Sequence, residues 1–532
     1  MNELFLLLTG IAPIVWLFVS LCVLRLPGHI ACPGGLALAA LLALAILRTA
    51  PAQVATAALE GVLFALWPIL LVIVAAMILY KYSVATGGMD KIKELLTGVS
   101  RDKRVLVLIL AWGFGGFLEG IAGFGVPVLI PGCILVSLGF SPMLSVVACL
   151  VANSTSTPFA TIGIPVATLS GVTGLDVNVL AFNTATQLFI PCLVLPFFLV
   201  MLTGGGIRAV RGVVRITLVA GLSFALPMLL VSRFIGAELP TLLGSVCAVV
   251  CVTAASRRFY RDDAHNRQYQ ISTASRPAGA LPSAGHGAVA LAADRPRTES
   301  LSAFQACLPF GIVLVCVSAT SLIGPVHEAL NRIRLDAVVY AGADGHTLTF
   351  AFLLTPGILI LISTGIACLV QGRRLSEITR IARDTILESR NMFITIISIV
   401  AMAKIMDYSG MTDAIAVILI AIFAAFYPLV APVIGMLGTF ITGSDTTCCI
   451  LFGSLQASAA QSIGADPSWI ASSNLSAAAA GKMISPQSVA VGLRIGGLDG
   501  KEGEIIRQTL KYALVCTAIV SLVTFGRTLL IG

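Results

Sequence analysis

Three ionisable residues stand inside stretches that are otherwise apolar or small: Glu119 in LEGIAGFGVPVLIPG, Asp445 in ITGSDTTCC and Lys482 in AAAAGKMISPQS. A charged side chain at the centre of a membrane span costs about 3 kcal/mol on insertion scales, so its default reading is functional. Glycine or proline stands close to each of the three, at Gly120, Pro127, Gly443, Gly481 and Pro486. These residues break helices and free backbone N–H and C=O groups. At membrane depth that is tolerated only where the chain is buried in protein or lines a cavity. A fourth stretch, ANSTSTPFATIGIP (152–165), sets five consecutive polar residues before Pro158.

This set of residues suits the handling of a small organic anion. Half-helix N-termini present N–H groups with partial positive charge. Lys482 supplies a cation for a carboxylate, and Asn153, Ser154, Thr155, Ser444, Thr446, Ser473, Asn474, Ser485 and Gln487 supply hydrogen bonds. Gly120, Gly123, Gly125 and Gly443 allow close backbone approach at the breaks. Glu119 and Asp445 repel an anion unless they are protonated or paired. A protonated acid removes the repulsion and makes anion and proton cross together, which is the logic of symport. The same acids, with backbone carbonyls, are also suited to holding Na⁺. No metal-ligand spacing and no cofactor motif occurs, so the expected coupling partner is H⁺, with Na⁺ open and no cofactor. The motifs HExxH, GxSxG and the P-loop are absent. Four of the five histidines, His265, His286, His327 and His346, fall in loops. An intramembrane hydrolase and a passive channel are the rival readings, and uptake against a gradient separates both from a carrier.

The elements that must position these residues follow from composition. The 532 residues are 58% hydrophobic and 11% charged, with a mean hydropathy of +1.00. Soluble domains carry about 25% charged residues. A bilayer core needs about 20 apolar residues per helix. Windows such as Leu4–Leu24, Val62–Tyr80, Asn178–Leu202, Val214–Val231, Ala303–Ile323, Phe350–Val370 and Ala513–Ile531 meet that length. The expected fold is an all-α polytopic membrane protein of roughly 12–14 transmembrane helices with re-entrant helical hairpins. The net charge of +8 comes from short loops and is no sign of nucleic-acid binding, and the 13 cysteines lie mostly in apolar stretches as small hydrophobes.

Basic loops stay cytoplasmic. The segment 81–104, Arg208 to Arg215, the stretch 256–299 and Arg373 to Arg390 are such loops. They place both termini outside and make 256–302 a flexible cytoplasmic linker between an N-terminal membrane repeat with extra helices (1–255) and a C-terminal repeat (303–532). The halves echo each other. MILYKYSVATGGM (77–89) resembles MAKIMDYSGM (402–411), and the Glu119 stretch resembles the Asp445 stretch. VANSTSTPFATIGIPV (151–166) resembles ASSNLSAAAAGKMISPQSV (471–489), pairing Asn153 with Asn474, and GVTGLD (171–176) resembles RIGGLD (494–499). The offsets all stay near 321 to 325 residues. With the orientation above, the repeats point opposite ways. Inverted repeats with matched helix breaks are a signature of secondary transporters.

EGIAGFGVPV (119–128), ANSTSTPFATIGIP (152–165), FITGSDTTCCILFGSLQ (440–456), GKMISPQS (481–488), GAELP (236–240) and GKEG (500–503) together resemble the L-lactate permease family along most of the chain outside the linker. The resemblance implies a proton-coupled carrier of lactate and similar 2-hydroxymonocarboxylates such as glycolate, in the bacterial inner membrane. It also implies kinship to a wider ion-transporter group that is often dimeric, so a homodimer is the expected assembly. Three stretches depart from the family pattern: Ser154–Pro158, Thr447–Cys449, and Leu475 with Ala477–Ala480. All lie at the proposed site, so another small organic anion, carried with Na⁺ or by exchange, stays open.

Overall fold

A computed structural model of the chain describes residues 3–20, 24, 26–123, 125–260, 264–271, 302–342, 347–493, 495, 498 and 501–531. The protein is a predominantly helical multi-pass membrane protein. Among the described residues, eleven helical segments are long and apolar enough to cross a bilayer, and three shorter apolar helices accompany them. Most of the expected linker, together with His286, His346, Arg494 and Asp499, lies outside the described residues. The linker's first part is folded. Helix Pro240–Phe259 runs into it, and 264–271 docks through a buried Arg104. That guanidinium bonds Asp102 at 2.6 Å, Asn266 at 2.8 Å and the Ala209 carbonyl at 2.7 Å.

One expected span is shorter than its window. The residues Thr347–Ala351 pair with Arg334–Val338 as an antiparallel β-hairpin, and the helix starts only at Pro356. The alternation Thr-Leu-Thr-Phe explains it: β-branched and aromatic residues at period two favour a strand. The long segment Pro51–Ala85 is also interrupted. Trp67 is extended (φ −136°, ψ 113°), as expected for a residue that precedes proline.

The two halves carry the same landmarks. Gly87 (φ 78°) precedes helix Gly88–Thr97, and Gly410 (φ 76°) precedes helix Met411–Phe423. Each half then forms a hairpin: Lys103–Ile121 with Val126–Ser137, and Tyr427–Thr442 with Asp445–Ser462. The first returns to where it began, since the Lys103 ammonium sits 5.9 Å over the Phe140 ring. The Tyr427 hydroxyl, at the start of the second, reaches Gln456 near its end at 2.8 Å. Both hairpins exit through a left-handed glycine, Gly139 or Gly464, into a capped Pro-initiated helix, Ser141-Pro142 or Asp466-Pro467.

Those two prolines fix the register of the helices they start, and one pairing changes. Asn153 lies eleven residues after Pro142, but Asn474 lies seven after Pro467, so they sit one helical turn apart. The segment from Pro142 breaks after Asn153, passes through a 3₁₀ turn at Ser154–Phe159 and resumes to Thr173. The segment from Pro467 stays helical to Lys482 and resumes at Pro486. In their 18-residue apolar windows, Lys103–Ile121 and Pro142–Thr173 have 94% and 89% of residues buried, against 28% for Gly28–Ala45. The broken helices are therefore central, and the peripheral spans screen them from lipid.

Candidate functional site

The four breaks meet at one small cavity of about 120 Å³. Each contributes the end of one helix and the start of the next. The starts are Gly125 before Val126, Ser444 before Asp445, Gln487 and Ser488 after Pro486, and Ile164 beyond the break at Phe159. The ends are at Gly123, Gly443, Lys482 and Thr157. N-terminal ends favour anions, and C-terminal carbonyl ends favour cations. The fold brings together four such N-termini.

The backbone at the breaks explains the glycines. Gly125 and Gly443 have φ of 84° and 71°, a region L-residues avoid. The Gln487 side chain packs directly over Gly443. Gly120 is different: it faces Thr241 and Leu242 of helix Pro240–Phe259, so it is a packing glycine and not part of the hairpin tip. Thr161 and Ile162 adopt φ of 48° and 56°, with Gly163 at 77°. A β-branched residue in that region is a genuine outlier and stores strain of order 1–3 kcal/mol.

Lys482 and Glu119 form the centre of the cavity. The ammonium lies 2.6 Å from Glu119 Oε1, and the Glu119 side chain is fully buried. Asn153 Nδ2 donates to the other oxygen, Oε2, at 3.0 Å. Ser156 Oγ in turn donates to the Asn153 carbonyl at 2.7 Å. Glu119 is thus satisfied at both oxygens. Asp445 is not: neither of its oxygens accepts a hydrogen bond among the described residues. The polar groups around it are Lys482, Thr157, Glu119 and Thr439. It is the first residue of helix Asp445–Ser462, capped by Ser444, whose hydroxyl accepts from Thr447 N at 3.3 Å.

The remaining expected residues divide. Ser444, Thr446 and Gln487 line the cavity. Asn153 sits behind Glu119 as its holder. Ser154 and Ser473 donate to their own helices, at Val151 and Ile470. Thr155 is buried beside Cys192. Asn474 meets Cys448 and Gln456 away from the cavity. Ser485 caps the helix start, bonding Ser488 at 2.8 Å. Sequence reasoning missed three lining hydroxyls, Thr157, Thr161 and Ser488. All three lie in stretches already marked as breaks, but Thr161 falls outside the run of five polar residues before Pro158.

The L-lactate permease family model matches residues 7–531. The chain belongs to the L-lactate permease family. It is 43% identical to an L-lactate permease of Streptococcus iniae over 87% of this chain and 92% of that one. It is 33% identical to the glycolate permease GlcA of Escherichia coli over 97% and 94%, and 31% identical to an L-lactate permease of Bacillus subtilis over 97% and 95%. Among solved structures it is similar to the YdaH transporter of Alcanivorax borkumensis, with a TM-score of 0.47 at 14% identity over 88% of this chain and 86% of that one. As a member of this permease family the protein is a membrane transporter.

Proposed function

We propose that the protein carries L-lactate or a related short 2-hydroxymonocarboxylate such as glycolate into the cell together with a proton. The relatives named for lactate and glycolate support the substrate class. The observation that carries the coupling is the unequal state of the two acids beside one lysine. Glu119 and Lys482 cancel each other's charge at 2.6 Å, so Asp445 sets the balance. With Asp445 ionised and the site empty, the three groups sum to one negative charge. With Asp445 protonated and a carboxylate bound, the sum is again one negative charge. One proton per monoanion keeps the site's charge constant in both forms that cross, so neither form faces a greater desolvation penalty than the other. Lys482 has a partly exposed side chain and turns toward the bound carboxylate, while the serine, threonine and glutamine groups of the cavity hold the hydroxyl. Orientation follows the basic loops, with both termini outside and 256–302 in the cytoplasm.

The test is accumulation in proteoliposomes of radiolabelled L-lactate, glycolate, propionate and succinate. Each is measured under an imposed pH gradient, with and without a protonophore, and with Na⁺ replaced. The expected result is accumulation of the first two that the protonophore abolishes and Na⁺ replacement leaves intact. Accumulation that follows Na⁺ and ignores the protonophore refutes proton coupling. Preference for propionate over lactate refutes the hydroxy-acid class.

A further inference from the structure

A second, larger cavity of about 540 Å³ continues from the site, sharing Ile73, Ser444, Thr446 and Gln487 with it. It runs from the tip of the second hairpin to the starts of helices Gly28–Ala45 and Arg390–Tyr408, where His29, Asn391 and Thr395 line it. The two helix starts touch there: a Cβ on Gly28 would meet Thr395 Cγ2 at 3.0 Å. His29 is half-buried and Asn391 is exposed, so the cavity opens outward at this end. Among the described residues no acid lines it, and His29 is the lining side chain able to carry positive charge. Its other polar groups are hydroxyls and amides, which can donate to a carboxylate.

The opposite side of the site differs. A cavity of about 440 Å³ beside strand Thr347–Ala351 holds the acid Glu238 and shares only Ile164 with the site. The left-handed turn at Thr161 to Gly163 stands between them, with Thr161 facing the site and Ile162 and Gly163 the other cavity. Gly163 packs against the Ala237 carbonyl.

We infer that the acid-free cavity is the route by which the organic carboxylate passes between the site and the cytoplasm, and that His29 is the donor it meets on that route. The inference rests on the carrier function proposed above. A carboxylate leaving water for a narrow passage needs donors in place of its hydration and no like charge beside it. This cavity meets both conditions. The side follows from the basic residues Arg373, Arg374, Arg380, Arg383 and Arg390, which precede helix Arg390–Tyr408 at this end.

Two measurements test it. First, His29→Cys and Thr395→Cys, made in a background in which the native cysteines are replaced by serine or alanine, are exposed to a membrane-impermeant thiol reagent in right-side-out and inverted vesicles. Labelling from the cytoplasmic face supports the route, and labelling only from the outside, or none, overturns it. No substrate enters this experiment, so it stands even if the protein carries something other than lactate. Second, L-lactate uptake is compared for His29→Ala, His29→Gln and the cavity-filling Thr395→Leu. Loss of one hydrogen bond to a charged partner corresponds to roughly a tenfold to hundredfold rise in KM for His29→Ala. His29→Gln, which keeps a donor, recovers most of that, and Thr395→Leu lowers the maximal rate. Wild-type KM in His29→Ala overturns the role of His29. If the parent protein moves no L-lactate at all, the substrate assignment fails, and the labelling result decides the route separately.

Discussion

Replacing Asp445 with asparagine isolates the coupling step. The substitution keeps the shape of the side chain at the first position of helix Asp445–Ser462 and leaves Ser444 as its cap. The helix loses an acid in its first turn, a cost of about 0.3–1 kcal/mol, small enough for the protein to fold. The charge balance changes decisively. With Glu119 and Lys482 paired, the empty site is then neutral and the loaded site carries one negative charge, with no proton to bind or release. One-for-one symport against a gradient of two pH units supplies about 2.7 kcal/mol, enough for about a hundredfold accumulation of a monoanion. In Asp445→Asn that ratio falls to about one, while exchange of labelled for unlabelled L-lactate across the same liposomes persists. Uptake by the parent protein rises as the outer pH falls, and uptake by the variant is flat. Glu119→Gln behaves differently in the same assay. It releases Lys482 and Asn153 from their partner and raises KM, but the accumulation ratio at saturating substrate remains. Asp445→Asn liposomes that still accumulate L-lactate about a hundredfold refute the assignment of the proton to this acid.

Three further outcomes rest on the geometry. Lys482→Ala removes the partner of a fully buried carboxylate, so it abolishes L-lactate binding and destabilises the protein by about 3–5 kcal/mol. The double variant Lys482→Ala/Glu119→Gln recovers thermal stability in detergent without recovering binding, and failure to recover shows that the two residues are not coupled. Lys404 and Glu60 form a separate buried pair at 2.9 Å, with the Tyr408 hydroxyl donating to both Glu60 oxygens. Lys404→Met therefore lowers thermal stability by about 3 kcal/mol or more and leaves the KM of the folded fraction unchanged. A changed KM would join this pair to the transport path. Gly443→Ala forces φ 71° on a residue with a Cβ, against the Gln487 side chain. It is expected to lower the transport rate with little loss of protein, measured as initial uptake per unit of folded carrier.

Much of the architecture was legible because the bilayer imposes simple rules. Apolar length gave the long helices, and glycine and proline inside them gave the breaks. Two ionisable residues at matched repeat positions and a lysine beside a break pointed to the cavity, and Glu119, Asp445 and Lys482 do meet there. Residue type could not show which polar side chain is already occupied. Ser154 and Ser473 look as available as Ser444, yet each donates to a carbonyl three residues earlier in its own helix. In buried helices that local bond is within reach of any serine, so only the position relative to the break decides whether a hydroxyl faces the ligand. The same limit explains the asparagines. An alignment offset of a few residues is tolerable for apolar helices, but four residues is a full turn. That shift leaves Asn153 bonded to Glu119 and Asn474 bonded to Gln456 and Cys448.

This difference between the halves carries a consequence for the mechanism. If both repeats carried the same polar groups, Glu119 and Asp445 would compete equally for the single lysine and for protons. Instead only the first half supplies an amide to hold its acid, through Asn153, and only the second half supplies the lysine, at the end of helix Pro467–Lys482. The pair Glu119–Lys482 therefore bridges the two halves, while Asp445 stays without a hydrogen-bond partner among the described residues. A carrier coupled to one proton needs one acid that changes state and one that does not. On the proposed mechanism, a single asparagine and a single lysine, each placed in one half only, leave one acid to change state. Removing the amide tests this. Asn153→Ala, which frees Glu119 Oε2, is expected to spread the proton dependence over both acids, seen as residual pH-driven accumulation in the Asn153→Ala/Asp445→Asn double variant that Asp445→Asn alone lacks. Equal, flat uptake in both would show that Asn153 plays no part in holding Glu119 charged.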